Sequence, residues 1–337
     1  MTLPHQYIER YSGQVRTEQL FGDRLVRFLY HPLREQAPAL FRLLTSGYSS
    51  RLLALAQYDL DTFNPRLRQP AFLRQYGIDL AECLEPERLT SARRLFERRI
   101  RYWQCRPMAA DERTVVAPAD ARLLLASLAE DSALWLKDKF FVLAELLAAT
   151  KTDWLGRFAA ADVAIFRLTP EKYHYNHLPV SGRIVDQYEV QGRYHACNPG
   201  AVVAAVTPYD KNRRLVTLID TDVADGSEVG LVAMVEVVAL MIGDLHSCYC
   251  DHCGYEPVTL QYPGLFVRRG QPKSLFRPGS STVVLLFEPG RLRFSDDLLA
   301  NQRRGDVVSR FSRGFGLPLV ETEVRLRSTI GRAVTGG

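Results

Sequence analysis

Two adjacent hydroxyls, Ser280 and Ser281, stand between a turn signal, Pro278-Gly279, and the run Thr282-Val283-Val284-Leu285-Leu286-Phe287. The run is β-branched and apolar, which predicts a buried strand. A serine at the mouth of such a strand has two uses. It satisfies a local backbone group in the turn, or it acts as a nucleophile when a base takes its proton and a third group orients that base. The chain offers both partners. Asp120 ends the segment Val116-Ala117-Pro118-Ala119-Asp120, and His174 and His177 lie in Tyr173-His174-Tyr175-Asn176-His177-Leu178-Pro179-Val180-Ser181-Gly182. Taken singly, Asp120 reads as a turn aspartate and each histidine as a packing residue. Two histidines three apart would share a face on a helix and suit a metal, but Pro179 and Gly182 argue against a helix there.

Taken together and in this order, the three segments resemble the phosphatidylserine decarboxylase family, whose members cut themselves at a G-S-T-type site to make a pyruvoyl group. The resemblance runs from about Tyr7 to Phe294. Tyr7-Ile8-Glu9-Arg10, Gln75-Tyr76-Gly77-Ile78-Asp79, Asn198-Pro199 and Leu218-Ile219-Asp220-Thr221-Asp222 also look like family sequence. So does Val235-Glu236-Val237, where Val238 replaces the family's usual glycine; Glu236 reads as a satisfied structural carboxylate or a site-lining one.

The resemblance implies a chemistry. A serine hydroxyl attacks the carbonyl before it, the amide becomes an ester, and β-elimination splits the chain. Hydrolysis of the new terminal dehydroalanine leaves the pyruvoyl carbonyl, the electron sink that amino acid decarboxylation needs. On this reading His177 is the base, Asp120 its orienter and His174 a participant in decarboxylation. The expected reaction turns phosphatidylserine into phosphatidylethanolamine and carbon dioxide, with no external cofactor. The nucleophile has two registers. Counting back from Phe287 gives Ser281 followed by Thr282, with Ser280 in place of the family glycine; counting from Gly279 gives Ser280. Ser281 is preferred, because a one-residue slip would turn every side chain of the strand to the wrong face. Cleavage there gives chains of residues 1–280 and 281–337.

The clearest departure from the family is His246-Ser247-Cys248-Tyr249-Cys250-Asp251-His252-Cys253. Cys248, Cys250, Cys253 and His252 form an alternative zinc set, but a second, distant C-x-x-C is absent and the family needs no metal. The segment reads otherwise as an insertion with free thiols that reshapes the substrate pocket.

The 337 residues are 47% hydrophobic and 24% charged, ample for a buried core. Net charge is +5, and arginine supplies most of the 43 basic residues. Arginine forks onto phosphate and carboxylate, so anionic phospholipid and a membrane surface are the expected partners, together with the chain's own cleaved piece. A homodimer is compatible with this reading. The basic residues are scattered and no nucleic-acid motif occurs, which argues against nucleic acid. No signal-peptide pattern opens the sequence and the longest apolar run, Val229 to Ile242, contains Glu236. The expected location is cytoplasmic, peripheral on the inner face of the membrane. Six cysteines without secretory targeting do not suggest a disulfide framework.

The texture of the chain predicts an α+β fold. Residues 1–110 read as a helical, membrane-associating region, with apolar faces at Leu25 to Leu29, Leu40 to Leu44 and Leu52 to Leu55. Residues 111–295 read as a mostly antiparallel, β-rich catalytic core containing the cleavage site, and residues 296–337 as a polar, loosely packed tail. There is no G-x-G-x-x-G, Walker loop or G-x-S-x-G elbow. Two rivals stay open: a related decarboxylase of a soluble amino acid, and a non-processing protein that binds anionic lipid.

Overall fold

The computed structural model describes residues 3–20, 73, 77–132, 134–135, 140–204, 208–239, 245–252, 254–277 and 281–334. In chain order the strands are β1 (Gln6–Glu9), β2 (Val15–Thr17), β3 (Thr114–Val116), β4 (Ala121–Ser127), β5 (Asp162–Leu168) and β6 (Tyr175–His177). Then follow β7 (Gly182–Val190), β8 (Arg214–Asp220), β9 (Leu231–Val238), β10 (Leu245–Ser247) and β11 (Phe266–Val267). The last are β12 (Pro272–Phe276), β13 (Ser281–Phe287), β14 (Leu292–Phe294), β15 (Glu321–Val324) and β16 (Thr329–Ala333). One ten-stranded sheet runs β11-β7-β8-β9-β13-β5-β4-β15-β1-β2, and two three-stranded sheets run β10-β12-β6 and β14-β16-β3. The pairings are antiparallel except for β1 beside β15. This is the α+β class expected from the short β-type runs.

The apolar run ending at Phe287 is the spine of the large sheet. β13 pairs along all seven residues with β5 on one side and with β9 on the other. Alternation sends Val283, Leu285 and Phe287 into a core shared with Leu178, Val180 and Phe276 from the segments around the small sheets. It sends Val284 and Leu286 into a second core with Phe140, Phe158, Val202 and Phe311 from the helical side. A strand buried on both faces must be apolar at consecutive positions, which is how this run reads.

One expectation lies largely outside the described residues, and another is corrected. In the N-terminal region the described residues include β1 and β2, which extend the large sheet, and only short helical pieces at Leu80–Glu82, Pro86–Arg88, Ala92–Phe96 and Tyr102–Cys105. The apolar faces at Leu25 to Leu29, Leu40 to Leu44 and Leu52 to Leu55 lie outside the described residues. The segment after Ser295 is not loose. It places β15 between β4 and β1 and buries Leu298, Phe311, Val320, Val324 and Ile330. Part of its charge is drawn inward and neutralised in place. Arg167 forks onto Glu321 (2.9 Å at Nε) and Glu18 (2.9 and 2.6 Å), while His5 Nε2 bonds Glu321 at 2.6 Å. Arg122 and Lys172 both pair with Glu323. Arginine beside Glu321 holds that carboxyl well below the usual range.

Candidate active site

Ser281 is the first residue of β13, fully buried, and its hydroxyl has no hydrogen-bond partner among the described residues. It sits opposite Leu168 and Val238, on the face of the sheet that carries Val283. Thr282 lies on the other face, as the strand's alternation requires. Ser280, Gly279 and Pro278 lie outside the described residues.

Opposite Val283, on Ser281's face, stands Glu236 of β9. Its carboxylate is fully buried and collects three donors. Lys273 Nζ and the Ser274 hydroxyl reach it from β12, and Asn176 Nδ2 reaches it from β6 at 2.9 Å. Lys273 is itself fully buried. The neighbouring sheet β10-β12-β6 is therefore clamped to the large sheet by one buried ion pair and its hydrogen bonds. Glu236 was legible as a candidate; Lys273, Ser274 and Asn176 were not singled out. The one sequence signal was a lysine inside a strand, in a chain with few lysines.

β6 sorts its residues by alternation. Asn176 turns to Glu236, whereas Tyr175 and His177 turn to an aromatic cluster of Tyr102, Tyr173 and Tyr255. Both ring nitrogens of His177 are engaged. Nδ1–H donates to the Gly270 carbonyl at 2.9 Å, leaving Nε2 to accept from the Tyr173 hydroxyl at 3.0 Å. Tyr173 is 2.8 Å from the Tyr255 hydroxyl, which in turn accepts from Ile100 N–H at 2.9 Å. His174 repeats the pattern: Nδ1–H donates to the Lys172 carbonyl at 2.8 Å, and Nε2 is buried with no partner among the described residues. The ring stacks on Phe96 with centroids 3.6 Å apart. Each histidine thus has its proton fixed on Nδ1 and an unprotonated Nε2.

Asp120 does not hydrogen-bond His177. Its carboxylate accepts a fork from Arg106 (3.1 and 2.8 Å) and the Leu326 N–H at 2.7 Å. The arginine holds the carboxyl below its usual range. What reaches His177 is the backbone of the same turn, since His177 N–H donates to the Pro118 carbonyl at 2.8 Å. Asp120 therefore braces the turn that fixes the histidine's main chain. Gly182, which ends the histidine segment, packs so close to the Asp220 carbonyl that a Cβ would collide with it.

Among the described residues the cysteine-rich segment brings no ligand set together. Cys248 and Cys250 are buried, His252 is largely exposed beside Asp251, and Cys253 lies outside the described residues. Among the described residues the three do not converge on one point. Burial pushes the Cys248 thiol up, away from the thiolate a metal needs.

Residues 93–310, more than half of the chain, match the model of the phosphatidylserine decarboxylase family. The chain belongs to that family. A phosphatidylserine decarboxylase proenzyme of Chlamydia trachomatis is 28% identical over 329 residues, covering 97% of this chain and 96% of that protein. One from Fusobacterium nucleatum is 24% identical over 88% of this chain and 91% of its own length. Phosphatidylserine decarboxylase proenzyme 2 of Oryza sativa is 32% identical over 70% of this chain and 36% of its own. The family relationship thus extends over the two N-terminal strands and over the segment after Ser295.

Burial drives both histidines to about 3, far below the ordinary value near 6.5. The unfolded chain therefore binds more protons than the folded one between these two values. Stability from this source is complete above about pH 6.5 and is lost as pH falls toward 3, at up to about 1.4 kcal/mol per pH unit for each histidine. The urea midpoint is expected to drop between pH 7 and pH 5, a window above the range in which carboxylates such as Glu321 titrate. An unchanged midpoint would mean that neither ring is held neutral by the fold.

Proposed function

We propose that this phosphatidylserine decarboxylase family member is a proenzyme that cuts itself before Ser281 and then converts phosphatidylserine to phosphatidylethanolamine and carbon dioxide. The observation that carries the reading is the Ser281 hydroxyl, buried and without a partner among the described residues at the head of a strand held on both sides. A buried hydroxyl left unpaired costs about 1–3 kcal/mol, and such costs persist where the group has work to do. The names of the relatives support a phospholipid substrate and lend nothing to a soluble amino acid or to a non-processing lipid binder.

The residues present fit a pyruvoyl group made from the chain itself. The strand that would carry the group is anchored by seven residue pairs on each side, so a break before it leaves its first residue in place. The group supplies a carbonyl that draws electrons from the substrate's amino acid portion. The protein's part is to hold and move protons around it. His177 and His174 are neutral and present unprotonated Nε2 atoms, the form a base requires. The Gly270 and Lys172 carbonyls fix that tautomer. Asp120, with Arg106, steadies the Pro118 carbonyl behind His177. Glu236, Lys273 and Asn176 form a charged wall on Ser281's own face.

A phospholipid substrate also supports a peripheral position on the cytoplasmic face of a membrane. Among the described residues no helix is long and apolar enough to cross one. Self-association as a homodimer is read by sedimentation.

Denaturing intact-mass measurement tests the proposal. Two chains are expected, the smaller covering residues 281–337 with a carbonyl in place of its amino terminus. A start at 280 would shift the nucleophile by one residue and turn the strand's register argument aside. A single whole chain after long incubation would overturn self-processing.

A further inference from the structure

The segment Val258 to Tyr262 alternates in the wrong sense for a surface facing water. Thr259 and Gln261 are the half-buried members: Thr259 N–H donates to the Tyr249 carbonyl at 2.7 Å, and Gln261 Nε2 donates to the Ser247 hydroxyl at 2.8 Å and the Lys273 carbonyl at 3.0 Å. Val258, Leu260 and Tyr262 between them are 49%, 78% and 55% exposed. A segment packed on a soluble protein normally turns its apolar side chains inward and its polar ones out. Here the polar members are spent on anchoring, and three large apolar side chains in succession are presented outward. Single exposed apolar residues need no explanation, but a contiguous set of them does.

The surroundings supply positive charge. The segment leads through Gly264 and Leu265 into β11, whose Phe266 lies opposite Arg183 of β7. Arg183 and Arg268 are both exposed, and neither has an ion-pair partner among the described residues. Arg183 donates to the Gly264 carbonyl at 2.8 Å, and Arg268 lies over the Phe266 ring. The nearest acidic side chain along the segment, Glu256, is already paired with Arg99 at 3.0 Å. The anchor point is the backbone of Lys273, whose side chain meets Glu236 on the face of Ser281.

The geometry points to a membrane-docking surface: Val258, Leu260 and Tyr262 enter the interface of an anionic bilayer while Arg183 and Arg268 meet its phosphates. The inference rests on the proposed phospholipid substrate, which lies in such a bilayer. Leucine and valine side chains gain by leaving water, tyrosine suits the boundary between headgroups and acyl chains, and arginine forks onto phosphate. Docking through a segment fastened to Lys273 sets the bilayer against the sheet that bears His177 and Lys273. The surface is built from described residues alone.

Vesicle sedimentation with the full chain tests this, using phosphatidylcholine vesicles with and without added phosphatidylglycerol. Leu260→Asp is expected to weaken binding about tenfold or more. Arg183→Gln with Arg268→Gln is expected to remove most of the preference for phosphatidylglycerol, about fivefold per arginine. In Leu260→Trp, the added fluorescence should be quenched by bromine on the acyl chains. Wild-type binding by Leu260→Asp, or an unquenched tryptophan, overturns the proposal. So does a Leu260→Asp chain that loses self-association in sedimentation while keeping its vesicle affinity, because the surface would then join copies of the chain. Should Leu260→Asp lower the thermal midpoint, the tryptophan result decides. Binding is read on Ser281→Ala chain as well as on wild type. A failure of self-cleavage therefore sinks the proposed function without touching these readings, and the reverse holds equally.

Discussion

A Ser281→Ala chain is expected to stay whole under conditions in which the wild type is fully cut. The alanine removes the one oxygen able to attack the preceding carbonyl, and without a nucleophile no ester forms. The loss should exceed about a thousandfold, since a covalent route is removed rather than slowed. The substitution is nearly isosteric and deletes a buried donor with no partner among the described residues, so the thermal midpoint should hold or rise. Ser280→Ala is the discriminating control. With Ser281 as nucleophile the neighbouring change leaves cleavage within a few-fold of wild type, because the attacked carbonyl is present in either residue. Cleavage by Ser281→Ala together with its loss in Ser280→Ala would reverse the assignment. Denaturing electrophoresis and intact mass read both.

Lys273→Met is expected to cost about 3–5 kcal/mol of stability. Lys273 and Glu236 are both fully buried and pair across the two sheets. Removing the ammonium leaves a carboxylate in a dry interior, with the Asn176 and Ser274 donors to hold it among the described residues. A change of this size is a large fraction of the roughly 5–15 kcal/mol that holds a domain together. Its companion tests the cause. Lys273→Met with Glu236→Gln removes both charges and keeps an amide that accepts from Asn176, so it should recover much of the loss. Urea unfolding of the two single variants and the double, each in the uncut Ser281→Ala chain, supplies the cycle. Additive losses would show that the two residues stabilise the protein independently, contrary to the clamp described for them.

The spine of the fold was legible because it obeys a local rule. Val283 to Phe287, Val163 to Leu168 and Leu215 to Asp220 are apolar runs bounded by turn residues, and each is a strand of the large sheet. What escaped depends on partners that no local pattern names. Gln6 to Glu9 carries one fully buried apolar side chain, Ile8, and becomes a strand only because β15 lies beside it more than three hundred residues later. The tail reads as polar and Arg-rich, yet its Glu321 and Glu323 are neutralised by arginines on β5 and β4. Asp120 looked like the companion of a histidine, and its companion is Arg106, only fourteen residues earlier, supplied by the end of a short helix. Lys273 drew no reading from the sequence. Nothing in its own neighbourhood names Glu236, which is thirty-seven positions away.

The position of β13 and β15 has a further consequence for the cut protein. A break before Ser281 assigns β13, β14, β15 and β16 to one chain and β1 to β12 to the other. β13 then lies between β9 and β5, β15 between β4 and β1, and β16 pairs with β3. The small chain is thus woven through the large one at several seams and cannot slide free as a unit. Its release requires the big sheet to open, so the two pieces behave as one body for as long as the fold lasts. Once unfolded, however, they are separate solutes, and the closeness that chain connection gave them is gone. Folding of the uncut chain is a first-order event indifferent to dilution, whereas recovery of the cut form is second-order. The mature protein would then be held by the slowness of its unfolding and by a history it cannot readily repeat.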